Sequence, residues 1–362
     1  MFIFAISVIV ICYLMLILLY IVGWKRLETS TVDNIKPEMT VSVIVACKNE
    51  AQNIPRLLDA LAAQSYASFQ LILIDDNSTD NTHSIFELYR NRFSNIKLLK
   101  AHGSGKKAAL KEGIMLSEAA LIITTDADCS PTSKWIETIV KFQMQQNADL
   151  IICPIQFEEQ KGLFSKILSL EFVSLVAAGA GAAGIGMPIL CNGANLAFKR
   201  EAWKKSESQR NEIEMSGDDI FLLQSIKKSA GKILFLKSKL AMVTTTAPAS
   251  IGIFVKQRQR WAGKSPSYTD YMTIFTAIIV LAISLLQIGL FVLSIRETKV
   301  LILVISIFAI KYIADTFLLY TVKSFFELQR VWFYSLLLSL VYPLYISFVG
   351  ITALAKQPSK WK

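Results

Sequence analysis

Two acidic clusters stand directly behind short apolar runs. Asp75 and Asp76 follow residues 71–74 (LILI), and Asp126 and Asp128 follow residues 121–125 (LIITT). Asp126 and Asp128 are separated by one residue, so in extended chain both side chains point to the same side. Two carboxylates on one side repel unless a cation sits between them. Hard oxygen ligands select Mg²⁺ or Mn²⁺, shared with a phosphate of the substrate. Taken singly, each Asp reads as a turn residue or helix cap; the repetition at successive strand ends favours a cation site. Residues 103–107 (GSGKK) resemble a phosphate loop but fail its pattern, because Lys100 stands where the first Gly belongs and Lys107 where Ser or Thr belongs. Lys106 at a helix start either meets a diphosphate through charge and helix dipole or is solvated. Gly217-Asp218-Asp219 precedes an amphipathic stretch, where an acid either caps the helix or serves as a general base. Residues 257–261 (QRQRW), with Lys256 and Lys264, form a basic patch just before a long apolar run. Headgroup binding, at about 1 kcal/mol per charge, explains such a patch without any catalytic role.

These groups need a scaffold, and the polar part of the chain supplies one. Residues 41–46 (VSVIVA), 71–74, 96–99, 121–125 and 150–153 read as buried strands. Residues 53–63, 80–90, 106–118 and 135–145 read as the helices between them. Strand and helix alternating at this spacing predict βαβ units, an α/β fold with a mostly parallel sheet. In such sheets ligands bind beyond the carboxyl ends of the strands, where both acidic clusters fall.

The rest of the chain is built for lipid. Of 362 residues, 53% are hydrophobic and 18% charged, against about 25% charged in soluble domains. Residues 2–22 carry no charge, and Lys25 and Arg26 follow. The run is long enough to cross a bilayer and lacks the flanks of a cleaved signal, which predicts an anchor whose C-terminal side faces the cytosol. Apolar runs at 271–295, 300–322 and 331–355 predict three more spans, so that residues 1–23, 24–267 and 268–362 form anchor, polar domain and C-terminal helices with a short basic tail. Three late spans put that tail outside, against its positive charge. Lys311 and Asp315, four apart in one span, are expected to pair with each other. Residues 163–190 are also apolar, but 177–187 read AAGAGAAGIGM. Gly and Ala bury little area, so the segment is expected to be interfacial or groove-lining, with a re-entrant helix as the alternative. Residues 250–267 are juxtamembrane. Two histidines leave no room for a multi-histidine metal site and make a Ser-His-Asp enzyme unattractive. Five cysteines show no C-x-x-C pair and no disulfide framework. A net charge of +10 fits nucleic acid or an anionic membrane; no nucleic-acid partner is expected, because that reading leaves the carboxylate clusters unexplained.

In order, VSVIVACKNE (41–50), LIDDNSTD (73–80), GKKAALKEG (105–113), TTDADC (124–129), CNGANLAFKR (191–200), GDDIFLL (217–223) and QRQRW (257–261) resemble the inverting family 2 glycosyltransferases of GT-A (Rossmann-like) fold. The Q-x-x-R-W element is similar to that of the membrane-embedded branch, which includes hyaluronan, chitin and cellulose synthases and ceramide glucosyltransferase. The resemblance implies that Asp76 binds the nucleotide base, with Ala46, Asn49 and Glu50 beside it. It implies Lys106 near the diphosphate, Asp126 and Asp128 on the metal, with Asp128 the firmer ligand, and Asp219 as general base. Arg260 and Trp261 would hold the diphosphate and the acceptor end; Gly193, Ala194, Asn195, Asp218 and Gln257 would lie on the acceptor side. The sequence GDD stands where many relatives carry Glu-Asp, but hyaluronan synthases share it. The implied partners are a nucleotide-sugar donor, UDP-linked on family grounds, a lipid or glycan acceptor, and membrane lipids. The implied place is an integral membrane protein of a cell's inner membrane with its catalytic domain in the cytosol. Two activities share this site: transfer of one sugar to a lipid hydroxyl, and processive polysaccharide synthesis with secretion. Four spans are few for a secretion channel, which favours the lipid acceptor.

Overall fold

The computed structural model describes residues 2–29, 36–207 and 218–355. The chain divides into two compact units. The first takes Glu28–Glu158 and Leu190–Thr246; the second takes Met1–Leu27, Glu159–Ile189 and Ala247–Pro358.

The first unit is an α/β domain. Among the described residues its strands are β1 (Val41–Cys47), β2 (Phe69–Asp75), β3 (Ile96–Lys100), β4 (Leu121–Thr124), β5 (Cys129–Pro131), β6 (Leu150–Ile152), β7 (Ile155–Phe157), β8 (Leu196–Lys199), β9 (Ile233–Phe235) and β10 (Val243–Thr245). Seven of them form one sheet in the order β3-β2-β1-β4-β8-β6-β9. Strands β1, β2 and β4 are buried almost throughout, which explains their unbroken apolar runs. Helices Ile54–Ala62, Thr82–Tyr89, Lys106–Leu116 and Trp135–Gln146 lie between strands as expected. β1 pairs in parallel with β2, Cys47 opposite Asp75, and with β4, Ile44 opposite Thr124. The two acidic clusters therefore leave the sheet at the same edge. β8 departs from the parallel pattern. It runs antiparallel between β4 and β6, with Leu196 opposite Thr124, so the turn entering β8 comes to that edge too. Strands β5, β10 and β7 form a separate small sheet.

The second unit is helical: Phe2–Arg26, Leu163–Gly184, Ile251–Ala262, Tyr271–Arg296, Leu301–Phe326 and Val331–Ala355. Among the described residues, five helices are long and apolar enough to cross a membrane, one more than the four expected. The additional one is Leu163–Gly184. It is 61% buried over its most apolar window, whereas the other four are 17–33% buried. Its glycines meet the first helix backbone to backbone. A Cβ on Gly181 would stand 2.2 Å from the Tyr20 carbonyl oxygen, and one on Gly184 2.1 Å from that of Gly23. Small residues at such a crossing let helices approach closely. Lys311 does pair with Asp315, and Tyr13 donates to the same carboxylate.

Candidate active site

The site is assembled at the carboxyl edge of the large sheet. Asp126 follows β4 and accepts from Lys106 Nζ, the first residue of its helix. Burial works against the Lys106 charge, but Asp126, Asp219 and Asp128 outweigh it and raise the ammonium's pKa. Asp219, like Asp126 and Asp128, thus lies within electrostatic reach of Lys106 although it is far away in sequence.

The loop before Lys106 is pinned by two carboxylates. Asp76 is fully buried and accepts the Gly105 N–H, 3.1 Å from each oxygen. Glu112 accepts from the backbone of His102 and Gly103. Gly105 has φ +98°, with nothing near the place a Cβ would take, so glycine is needed there for conformation rather than room. Asp76 thereby holds the loop that presents Lys106. At the end of β1, Ala46 is buried. Asn49 sits at φ 55° and its amide oxygen accepts from Thr79 N at 2.8 Å; Glu50 accepts from Asn53 at 2.7 Å.

Asp219 stands on the other side of the site. The helix Asp218–Lys228 starts here; the side chain of Asp218 lies outside the described residues, as does Gly217. Asp219 Oδ2 accepts the Gly193 N–H at 3.0 Å, and Oδ1 accepts from Ile220 N at 2.9 Å. Thr124 at the end of β4 donates to the Gly193 carbonyl at 2.8 Å, which ties the turn to the strand carrying Asp126. Ala194 is buried. Asn195 does not turn its side chain to an acceptor: it is fully buried, accepting from Trp135 Nε1 at 2.8 Å and donating to Pro154 O and Ala241 O. A buried amide with its partners satisfied is a fold-holding group.

The residues fit a divalent cation. Burial and the neighbouring Asp126 charge push the Asp128 carboxyl above its usual range, against the pull of Lys106 and the Thr245 hydroxyl. Thr245 donates to Asp128 Oδ2 at 3.1 Å, while among the described residues the Cys129 thiol stands 3.8 Å from Oδ1. Among the described residues no third His, Cys, Asp or Glu joins the pair, so around a bound cation the other ligand positions would fall to phosphate oxygens and water. Thr245, Arg56 and Glu158 around Asp128 carry no motif; pairing of β10 with β5 and β7 brings Thr245 and Glu158 there, and the helix Ile54–Ala62 brings Arg56.

The basic patch belongs to the helical unit. Ile251–Ala262 is capped by Ser250, which accepts from Ile253 N. Gln257, Arg260 and Trp261 are half-buried on it. Arg258, which the motif does not specify, is 3% exposed and grips Glu171, itself 1% exposed, through Nε at 3.1 Å and through Nη2. Tyr345 donates to the same carboxylate at 3.0 Å, and the guanidinium lies 4.2 Å from the Trp261 ring centroid.

Residues 42–202, most of the sheet and the site edge, match the family model described as glycosyl transferase family 2. This segment is a family 2 glycosyltransferase domain. Glycosyltransferase AglE of Haloferax volcanii is 31% identical over 125 residues, 34% of this chain and 41% of that protein. Dolichyl-phosphate beta-glucosyltransferase ALG5D of Trichomonas vaginalis is 30% identical over 129 residues, 32% and 39% respectively. The chain thus spans about two fifths of the length of these curated relatives. The mannosyltransferase PcManGT of Pyrobaculum calidifontis, solved in complex with GDP-Man and Mn²⁺, shares 17% identity over 96% of this chain and 98% of its own, with a TM-score of 0.61. That likeness shows the glycosyltransferase fold.

Proposed function

We propose that the chain is a membrane-embedded inverting glycosyltransferase that moves a sugar from a nucleotide-linked donor, UDP-linked on family grounds, to a hydroxyl of a lipid acceptor. The observation that carries the reading is that Lys106 grips Asp126 and the turn holding Asp219 is tied to Thr124 on the strand leading to Asp126, all at one sheet edge.

A hydroxyl is a poor nucleophile at neutral pH, so a base must take its proton as it attacks the anomeric carbon. Asp219 does this, held in place by the Gly193 N–H. The opposite bond, to the diphosphate, breaks in the same displacement and the configuration inverts. Lys106 faces the departing charge with its ammonium. Asp128 and Asp126 would hold Mg²⁺ or Mn²⁺, which when bound neutralises the diphosphate as it leaves. Ala46, Asn49 and Glu50 border the nucleotide. Asp218, and Gly193 and Ala194 through their backbone, border the acceptor. By the resemblance, Gln257, Arg260 and Trp261 serve the acceptor and diphosphate.

The membrane reading rests on the apolar helices, and the lipid acceptor is supported by a relative named for dolichyl phosphate. Four helices span. The Leu163–Gly184 helix lies in the interface, because β7 before it and β8 after it belong to one compact unit. A crossing would divide that unit between two compartments. The domain faces the cytosol, where Lys25, Arg26, Lys256, Arg258, Arg260 and Lys264 obey the positive-inside bias.

The test incubates membranes holding the chain with isotope-labelled UDP- and GDP-sugars and reads products by mass spectrometry. A lipid gaining one sugar in the organic extract supports the reading. A long polymer in place of it overturns the lipid acceptor, and absence of transfer from every donor overturns the activity.

A further inference from the structure

Asp128 is enclosed by a closed ring of hydrogen bonds. Arg56, on the helix Ile54–Ala62, donates through Nη2 to the Asp128 carbonyl oxygen and through Nη1 to Glu158. Glu158, directly after β7, donates its N–H to the Thr245 carbonyl at 2.9 Å. Thr245, the last residue of β10, donates its hydroxyl to Asp128 Oδ2 at 3.1 Å, which returns to the start. Register makes the ring possible: Thr245 stands opposite Cys129 on one side and Phe157 on the other. The small sheet thereby carries one group to the carboxylate of Asp128 and, through Glu158 and Arg56, another to its backbone.

The chemistry of the ring matches what a metal ligand needs from its surroundings. Thr245 fixes one carboxylate oxygen and, among the described residues, leaves the other without a strong donor. The Arg56 charge is met by Glu158, so Arg56 supplies direction at the carbonyl without placing an uncompensated cation beside a cation site. Groups behind a ligand set its orientation, and their loss weakens metal binding. Thr245 lies beyond residues 42–202, so the family match does not reach it.

We propose that Thr245, Glu158 and Arg56 are positioning residues that hold the Asp128 carboxylate in the orientation for a divalent cation. This rests on the reading of Asp128 as a metal ligand. The ring's effect passes through Asp128 and touches neither sugar nor acceptor.

The test titrates Mn²⁺ into the full chain in detergent and reads free Mn²⁺ by electron paramagnetic resonance, with thermal unfolding alongside. Thr245→Val keeps the shape and removes the hydroxyl; Thr245→Ser keeps the hydroxyl. The expected result is Mn²⁺ binding weakened by about 10-fold or more in T245V and within about twofold of the parent in T245S, with the unfolding midpoint of both near that of the parent. Excess Mn²⁺ then restores turnover in T245V. Mn²⁺ binding by T245V as tight as the parent overturns the proposal, and so does a T245S variant as weak as T245V. If T245V does not fold, Arg56→Gln and Glu158→Gln carry the test, with weakened Mn²⁺ binding expected and unchanged binding overturning the ring. Asp128→Asn separates the two layers. If it binds Mn²⁺ like the parent, the metal reading itself fails; if it loses binding while T245V does not, only the ring fails.

Discussion

Arg258 and Glu171 form a bidentate ion pair buried in the helical unit, 87 residues apart in sequence. Tyr345 adds a hydrogen bond to the same carboxylate. A buried pair gains little over a well-packed apolar pair, but breaking it leaves one charge alone in a medium that cannot solvate it. Glu171→Gln should therefore lower stability by about 3–5 kcal/mol, read as a fall in the unfolding midpoint in detergent. The double replacement Glu171→Leu with Arg258→Met should recover most of that loss. An unchanged midpoint for the single variant would mean that the pair is solvated in the working protein.

As the proposed general base, Asp219 acts on the acceptor hydroxyl and not on the donor. Asp219→Asn retains the hydrogen bond from Gly193 but cannot take a proton. Turnover should fall by about 10²-fold or more while the donor KM stays near the parent value. Steady-state kinetics with donor varied checks this. A rise in donor KM with normal turnover at saturation would make Asp219 a donor ligand or a helix cap.

Chelation bears on Asp126 and Asp128. EDTA should abolish transfer, and Mg²⁺ or Mn²⁺ added in excess should restore it, since two carboxylates and a diphosphate gather negative charge at one place. Lys106 alone is one positive charge against three nearby acids. Full activity after exhaustive chelation would leave the diphosphate to the lysine and arginine side chains.

The Gly181 contact can be tested by size. Its Cβ would meet the Tyr20 backbone at 2.2 Å, and backbone cannot swing aside as a side chain can. Gly181→Val should cost about 1–3 kcal/mol or more through overpacking. Gly289 has nothing within 4 Å of its Cβ position, so Gly289→Ala should be neutral or mildly stabilising, by up to about 1 kcal/mol. Thermal unfolding of both variants reads the contrast, and equal midpoints would remove the crossing as a determinant of stability.

Much of the site edge was legible in residues 71–76 and 121–128, because buried parallel strands announce themselves as unbroken apolar runs and the acids directly follow them. The antiparallel entry of β8 was not legible: four residues, LAFK, carry no mark of direction, yet direction decides that Gly193 reaches Asp219. The Gly-Ala run illustrates a different limit. Composition weighs area, by which Gly181 and Gly184 are poor, whereas helix packing rewards their small size. Asn195 and Asp76 illustrate a third limit. Both sit in motifs, but their polar atoms are engaged within the domain, and burial cannot be read from a motif. Arg258, Thr245 and Glu158 gain their meaning from partners far away in sequence, which no local pattern encodes.

The sidedness of the chain can be settled with cysteines. Cys47, Cys129, Cys153 and Cys191 are buried, so they report poorly, and an introduced thiol is the better probe. Leu88 in the α/β domain is 78% exposed, and Lys299, between the helices Tyr271–Arg296 and Leu301–Phe326, is exposed. In the proposed orientation, which follows the positive flanks at Lys25 and Arg26 and at Lys256 to Lys264, the domain is inside. The next turn, after one further crossing, then lies outside. In intact cells a membrane-impermeant thiol reagent should label Lys299→Cys and spare Leu88→Cys, and permeabilisation should expose both. Sugar nucleotides made in the cytosol would then reach Asp126 and Asp128 directly. Labelling of Leu88→Cys without permeabilisation would place the domain outside and require another route for the donor.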